Sequence, residues 1–237
     1  MHRCYVPHAA AGSVEVVNEQ AHHIVNVLRL GVGAALSVFD GRGREWLGRV
    51  ASATRTRVVI TLGEPRTPAK EPSVDLSLVI GLLKGDQMSQ VVRDATALGV
   101  SRIVPVLSRH TAVARPSAWA DLRQRWQRVA VAAAAQSGRA VVPDVADVMA
   151  FGELLTSEPG PLVMCVEPAL QPGAAALPEK PASASLLVGP EGGWSQDEVD
   201  RARERGACLL SLGPRTLRAE LAPAVALSSL WTVWGWG

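Results

Sequence analysis

From residue 74 onward the chain alternates short apolar runs with segments of helical spacing, and that alternation restricts the fold more than any other feature. Apolar runs fall at 76–80, 103–107, 162–166, 186–188 and 207–211. Helical spacing falls at 86–98, 117–137, 196–205 and 219–233. Runs that are mainly apolar, rather than alternately apolar and polar, belong to strands buried on both faces. The pattern therefore predicts an α/β domain built on a mostly parallel sheet covered by helices on both sides. The stretch 167–185 is Ala- and Pro-rich and long for a connection in a compact domain, so it reads as an excursion or a lid.

The first part of the chain has a different rhythm. Residues 36–39 are apolar, Asp40-Gly41-Arg42-Gly43 is a turn signal, and 45–53 and 57–62 read as strands rich in β-branched residues. A helix is predicted over 19–30, with Asn18 as its N-cap and Gly31 as its stop. Residues 64–73 (EPRTPAKEPS) hold three Pro and mixed charge and read as a linker. The expected division is a small domain over residues 1–68 and an α/β domain over residues 74–237. Residues 1–70 carry nine Lys/Arg against five Asp/Glu, a balance of +4, whereas the rest carries 15 against 17, a balance of −2. A basic small domain suits contact with a polyanion, although a merely solvated basic face has the same signature.

Several classes are disfavoured. Cys4, Cys165 and Cys208 are too widely spaced for a CxxC metal site or a disulfide framework, and suit a reducing cytoplasm. His22 and His23 are consecutive on one predicted helix, so they point to different faces, and no further ligand completes a metal site. Residues 1–7 lack the apolar core of a signal peptide. The apolar run 221–236 is short for a membrane span and carries Pro223 early, so it reads as a buried helix or a dimer face. Arg115, Arg123, Arg125 and Arg128 decorate the long helix, as a solvated face or as contacts to RNA.

Chemistry concentrates in two glycine-bearing loops that follow predicted strands: residues 187–195 (LVGPEGGWS) and 212–220 (LGPRTLRAE). Ligands of open α/β sheets bind at the carboxyl ends of strands, where such loops lie. Gly189, Gly192 and Gly193 let backbone approach a ligand closely. Neither loop is a P-loop or a GxGxxG fingerprint, so a phosphate cradle or a dinucleotide oxidoreductase is disfavoured. Two tight turns with no ligand remain the plain alternative. Ser195 and Glu198 fit the S-x-x-E capping box of the next helix, which makes Ser195 a cap rather than a nucleophile.

In order and spacing, 188–198 (VGPEGGWSQDE) and 212–220 resemble the bacterial small-subunit rRNA uracil-N3 methyltransferases of the SPOUT superfamily. Collinear support comes from residues 23–30 with Asp40-Gly41, Lys84-Gly85-Asp86 with Met88, Leu98-Gly99-Val100, Trp126-Gln127-Arg128 and Gln136-Ser137-Gly138-Arg139. The resemblance implies a PUA-like β-barrel that holds RNA, followed by an α/β methyltransferase domain with a C-terminal trefoil knot, an exception to the rule that chains do not knot. It implies a cytoplasmic homodimer that uses S-adenosyl-L-methionine, and as substrate one uridine of 16S rRNA, within the assembled 30S subunit. Cofactor-binding residues would be Val166, Val188, Gly189, Pro190, Glu191, Gly192, Gly193, Leu212, Gly213, Leu217 and Arg218. Arg218, Arg215 and Arg3 would stabilise charge on the uracil carbonyls, since a guanidinium stays charged and presents a planar fork. Glu220 would orient one of them or act as the base; an Arg–Glu pair that only pins the loop is the plain reading.

The chain departs from the family's pattern at Asp94, Ala97, Ala135 and Leu221, and in the placement of Arg109-His110. Those departures bear on RNA contact, the dimer face and the rate more than on the cofactor. An RNA-binding or ribosome-assembly factor without turnover, and a methyltransferase with another RNA uridine as its target, share the same bulk features.

Overall fold

The structure, a computed structural model, describes residues 1–111, 116–158, 160–170 and 177–236. Arg115 and positions 171–176 of the excursion lie outside the described residues. The chain forms two units, Met1–Lys70 with Ala134–Val142, and Glu71–Ala133 with Pro143–Gly237.

The first unit contains β1 (Arg3–Tyr5), β2 (Gly12–Val17), α1 (Asn18–His22), β3 (Ala35–Phe39), β4 (Glu45–Ala53) and β5 (Arg57–Arg66). The sheet order is β1-β3-β4-β5-β2. β1 and β3 are parallel and every other pair is antiparallel. In β4 and β5 buried and exposed positions largely alternate, as expected where one face meets a core and the other meets water. Leu36, Val38, Val58 and Ile60 are fully buried and meet Ala21 and Ile24.

The predicted helix over 19–30 is much shorter. α1 ends at His22 and passes into a π-helical turn, His23–Val27. Asn18 is not a cap: it sits inside the first turn at φ 56°, a left-handed angle that Asn tolerates better than most residues. The helical segment ends at Val27, short of Gly31, and Arg29 beyond it adopts φ 55°.

The segment 134–142 groups with this unit because Ala134 and Ala140 pack on Phe39. Arg3 is the polar counterpart of that packing. Its Nε and Nη2 donate to Glu45 at 3.2 and 2.8 Å. Its Nη1 and Nη2 also donate to the carbonyls of Ala134, Ala135 and Arg139. Its guanidinium lies 4.7 Å from the centre of the Phe39 ring. Arg3, expected to assist catalysis, is thus fully committed inside its own unit.

Two buried carboxylates in this unit make it acid-sensitive. Burial alone would raise the Glu45 carboxyl, but hydrogen bonds from Arg3 and Ser37, and the charges of Arg3 and Arg66, hold it below its usual 4.5. Burial would likewise raise Asp40, yet the Arg42 and Arg44 amides and the Arg44 guanidinium hold it below 3.8. A depressed folded-state pKa adds stability that is complete above the unfolded value and is lost as pH falls through the folded one. The thermal midpoint is therefore expected to be flat with pH above 4.5 and to fall below it. Glu45→Gln should lower the midpoint at neutral pH and flatten the acid limb. An acid limb of unchanged slope in that variant would exclude Glu45 as a contributor.

The second unit contains β6 (Asp75–Gly81), α2 (Gln87–Ala97), β7 (Arg102–Leu107), α3 (Trp119–Ser137, whose last turn belongs to the first unit), β8 (Asp144–Val145), β9 (Met149–Ala150), α4 (Phe151–Ser157), β10 (Leu162–Val166), β11 (Ser183–Val188), α5 (Gln196–Glu204), β12 (Cys208–Ser211) and α6 (Ala222–Trp234). Its sheet is parallel throughout, in the order β12-β10-β11-β6-β7-β8, with β9 also paired to β7. β10 is buried at every position and β6 at five of seven, so helices cover both faces as the apolar runs predicted. In this order β11 is inserted between β10 and β6, strands that precede it in the chain.

Several motif residues serve this scaffold. Trp126 is buried, and Gln127 clamps the entry to β8 by donating to the Pro143 carbonyl and accepting from the Val145 amide. Arg123 donates to the Val145 carbonyl, Arg125 pairs with Asp86, and Arg128 is exposed. The apolar C-terminal run is α6, which buries Ala226, Leu227, Leu230, Trp231 and Trp234 and packs on α2. Trp231 Nε1 donates to the Leu98 carbonyl at 2.7 Å. No helix among the described residues is long and apolar enough to cross a membrane.

Candidate active site

The strands β12, β10 and β11 are parallel neighbours, so their carboxyl ends lie side by side. Both glycine-bearing loops leave from that edge, one after β11 and the other after β12, and residue 167 onward leaves from β10 between them. Together they enclose a cleft of about 240 Å³. Of the eleven positions expected to bind a cofactor, Val166, Val188, Gly189, Pro190, Glu191, Gly192, Gly193, Leu212, Gly213 and Leu217 line it, as does Arg215, whereas Arg218 does not.

The first loop is held rigid from several directions. The Gly193 amide donates to the Pro190 carbonyl at 2.9 Å, closing a turn in which Gly193 takes φ 66°. The Lys84 amide donates to Glu191 Oε1 at 3.0 Å. His110 Nδ1 donates to the Gly192 carbonyl at 2.9 Å. Behind the loop, Glu198 accepts from the Ser195 amide and hydroxyl and, through Oε1, from the Arg109 amide at 2.8 Å. This is the capping box read from the sequence, enlarged into a clamp on the loop after β7. Glu198→Ala removes the cap and the hydrogen bonds to the Ser195 and Arg109 amides, which is expected to cost about 2 kcal/mol. Chemical denaturation monitored by fluorescence measures that cost, and an unchanged midpoint would exclude the clamp.

Glycine is required here by close approach. A Cβ on Gly81, at the end of β6, would stand 2.5 Å from the Pro190 nitrogen. One on Gly192 would stand 2.8 Å from His110 Cβ. Burial pushes the Cys165 thiol on the cleft wall up to about 12, which keeps it protonated and unreactive at neutral pH.

The second loop presents its polar side chains differently. The Arg218 carbonyl accepts from the Leu221 and Ala222 amides and so sets the start of α6, while its side chain is 87% exposed. Arg218 Nη1 lies 3.9 Å from Glu220 Oε1, and Gln87 Nε2 donates to Glu220 Oε2 at 3.1 Å. Arg218 and Glu220 thus stand on the loop but outside the cleft wall, and Arg3 belongs to the other unit. Sequence reasoning missed Glu167, Pro168 and Leu170 after β10, and Trp194, all of which line the cleft. The strand itself was legible, so its carboxyl end was the available signal for the first three. Among the described residues no group of three or more His, Cys, Asp or Glu could hold a metal ion, and His22 and His23 are exposed.

Residues 70–231 match the RNA methyltransferase domain family, and residues 18–63 match the RNA methyltransferase PUA domain. The chain is 34% identical over 227 residues to a Synechocystis protein named ribosomal RNA small subunit methyltransferase E, covering 92% of this chain and 72% of that protein. It is 32% identical over 230 residues to the Bacillus subtilis protein of the same name, covering 93% and 90%. The crystal structure of ribosomal RNA small subunit methyltransferase E from Neisseria gonorrhoeae bound to S-adenosyl methionine is similar with a TM-score of 0.90 and 28% identity, covering 99% of this chain and 98% of that one.

Proposed function

The chain belongs to the RNA methyltransferase family whose domain spans residues 70–231, and from that premise we propose that it transfers a methyl group from S-adenosylmethionine to N3 of a uridine in 16S ribosomal RNA. The observation that carries this reading is the meeting of both signature loops in one cleft at the carboxyl edge of a parallel sheet.

The cleft suits the cofactor. It is walled by apolar side chains and by glycines without Cβ atoms. Its Trp194 indole nitrogen is buried and has no hydrogen-bond partner among the described residues, a donor left for a ligand. Glu191 adds negative charge suited to a sulfonium cation. The cofactor supplies an already activated methyl group, so the protein's part is alignment and charge stabilisation. Arg215 and Arg218 stabilise the charge that develops on the uracil carbonyls as the N3 proton leaves. Glu220, braced by Gln87, orients Arg218. The target base must leave its stack to reach them.

The same reading has coarser parts. Residues 1–68 act as the RNA-holding domain, supported by exposed Arg29, Arg42, Arg44, Arg49 and Arg55, and residues 74–237 act as the catalytic domain. The insertion of β11 between β10 and β6 supports a trefoil knot. Exposed Leu221, Val233 and Trp236 at the ends of α6 support a homodimer. The assembled small subunit in the cytoplasm is the proposed setting.

Labelled S-adenosylmethionine, incubated with this protein and small subunits from a strain lacking it, tests the proposal. Label recovered as 3-methyluridine is the expected result. Label in another nucleoside would move the target, and cofactor binding without transfer would favour a ribosome-binding factor that lacks turnover.

A further inference from the structure

Glu167 is the first residue after β10, the middle strand of the three that end at the cleft, so it stands between the two signature loops. It lines the cleft and is exposed there. Its Oε1 lies only 3.0 Å from the place where a Cβ on Gly193 would stand. The missing side chain at Gly193 therefore makes room for this carboxylate over the turn.

The other acids of these loops are engaged: Glu191 by the Lys84 amide, Glu198 by Ser195 and Arg109, and Glu220 by Gln87. Among the described residues the Glu167 carboxylate accepts no hydrogen bond and makes no ion pair; only its backbone carbonyl is used, by the Leu170 amide. A second unused group flanks the same glycines. Trp194 Nε1, buried and without a partner among the described residues, lies 3.3 Å from the Cβ position of Gly189, which itself abuts Gly193. The wall thus offers a free double acceptor and a free single donor around one glycine turn.

Resting on the cofactor assignment above, we propose that Glu167 is the residue that selects the ribose of the cofactor, its carboxylate accepting from the 2′- and 3′-hydroxyls. Adjacent hydroxyls on a ribose present two donors side by side, which a carboxylate takes as a pair; acidic side chains do the same for ribose in dinucleotide folds. A hydroxyl also accepts, so it can satisfy the indole N–H. The ammonium and sulfonium groups of the cofactor cannot accept from it.

The test is binding calorimetry with three probes: S-adenosylmethionine, S-adenosylhomocysteine, which lacks the sulfonium, and methylthioadenosine, which keeps the ribose but lacks the amino-acid end. A fourth probe is the 2′-deoxy form of methylthioadenosine. Glu167→Ala is expected to weaken the first three alike, by roughly 10- to 100-fold, the range for a hydrogen bond to a charged group. Loss of the 2′-hydroxyl should weaken binding to the unaltered protein about 10-fold and to Glu167→Ala hardly at all. Glu167→Gln, which keeps the shape and one acceptor, should fall between. Loss confined to S-adenosylmethionine would place the carboxylate at the sulfonium. Loss for the first two probes but not methylthioadenosine would place it at the amino-acid end. Either result, or no loss at all, overturns the proposal. Failure of the unaltered protein to bind any probe would instead overturn the cofactor assignment itself.

Discussion

Arg218→Ala is expected to lower kcat by roughly 100- to 1000-fold and to leave the affinity for S-adenosylmethionine within about threefold. The two halves of that expectation come from different observations. Arg218 is absent from the cleft wall and 87% exposed, so a ligand seated in the cleft owes little to it. Its backbone, by contrast, sets the start of α6, and its Nη1 lies 3.9 Å from Glu220 Oε1. A charged fork that is fixed at its base, oriented by Glu220 and exposed to solvent suits a base arriving from solution. Lysine keeps the charge but not the fork, so Arg218→Lys should recover only part of the rate. Single-turnover transfer to small subunits, read beside calorimetry, separates rate from affinity. Equal loss in both would make Arg218 a cofactor ligand, as the family resemblance also implied. An unchanged rate would leave the Arg–Glu pair a loop pin.

Gly81→Ala is expected to weaken S-adenosylmethionine more than 10-fold, although Gly81 is not part of either signature loop. The added Cβ would stand 2.5 Å from both the nitrogen and Cδ of Pro190, and 3.1 Å from the Gly189 carbonyl carbon. These are backbone and ring atoms, so no flexible side-chain end can yield. β6 is locked in register with β11, Ile80 against Val188, and the strand cannot slide to relieve the clash. The loop must shift instead, and overpacking of this kind costs about 1–3 kcal/mol. Gly31→Ala is the matched control, since a Cβ there meets nothing within 4 Å and its φ is not positive. It should leave both melting temperature and affinity unchanged. Normal cofactor affinity in Gly81→Ala would show that the Gly189–Gly193 turn does not need its observed position.

The parts of the fold that were legible share a physical cause. β6, β10 and β11 are largely buried on both faces, so their sequences are mainly apolar, and that is visible without any partner. Helix α5 was legible because Ser195 and Glu198 cap it locally. The strand β1 was missed: it is three residues long, and its strand partner, β3, lies more than thirty residues away. The two-residue strands β8 and β9 were missed for the same reason, and α4, seven residues long, was too short to announce itself. The N-terminal helix was overestimated because the left-handed φ at Arg29 and the π-helical turn leave no composition signature.

The sequence alone determined the parallel sheet, the basic first domain and the two glycine loops, because burial on both faces, net charge and close backbone approach each dictate residue types locally. Tertiary structure alone decided which side chains share the site. It drew Arg3 into a structural cluster with Glu45 and with carbonyls more than 130 residues away, where a lone arginine near the N-terminus had looked free for catalysis. It also brought Glu167 beside Gly193, a pairing set by β10 and β11 lying next to each other and by nothing in either segment. Local chemistry fixes what each segment can become; strand order and helix packing fix which segments meet, because they bring together residues distant in the chain.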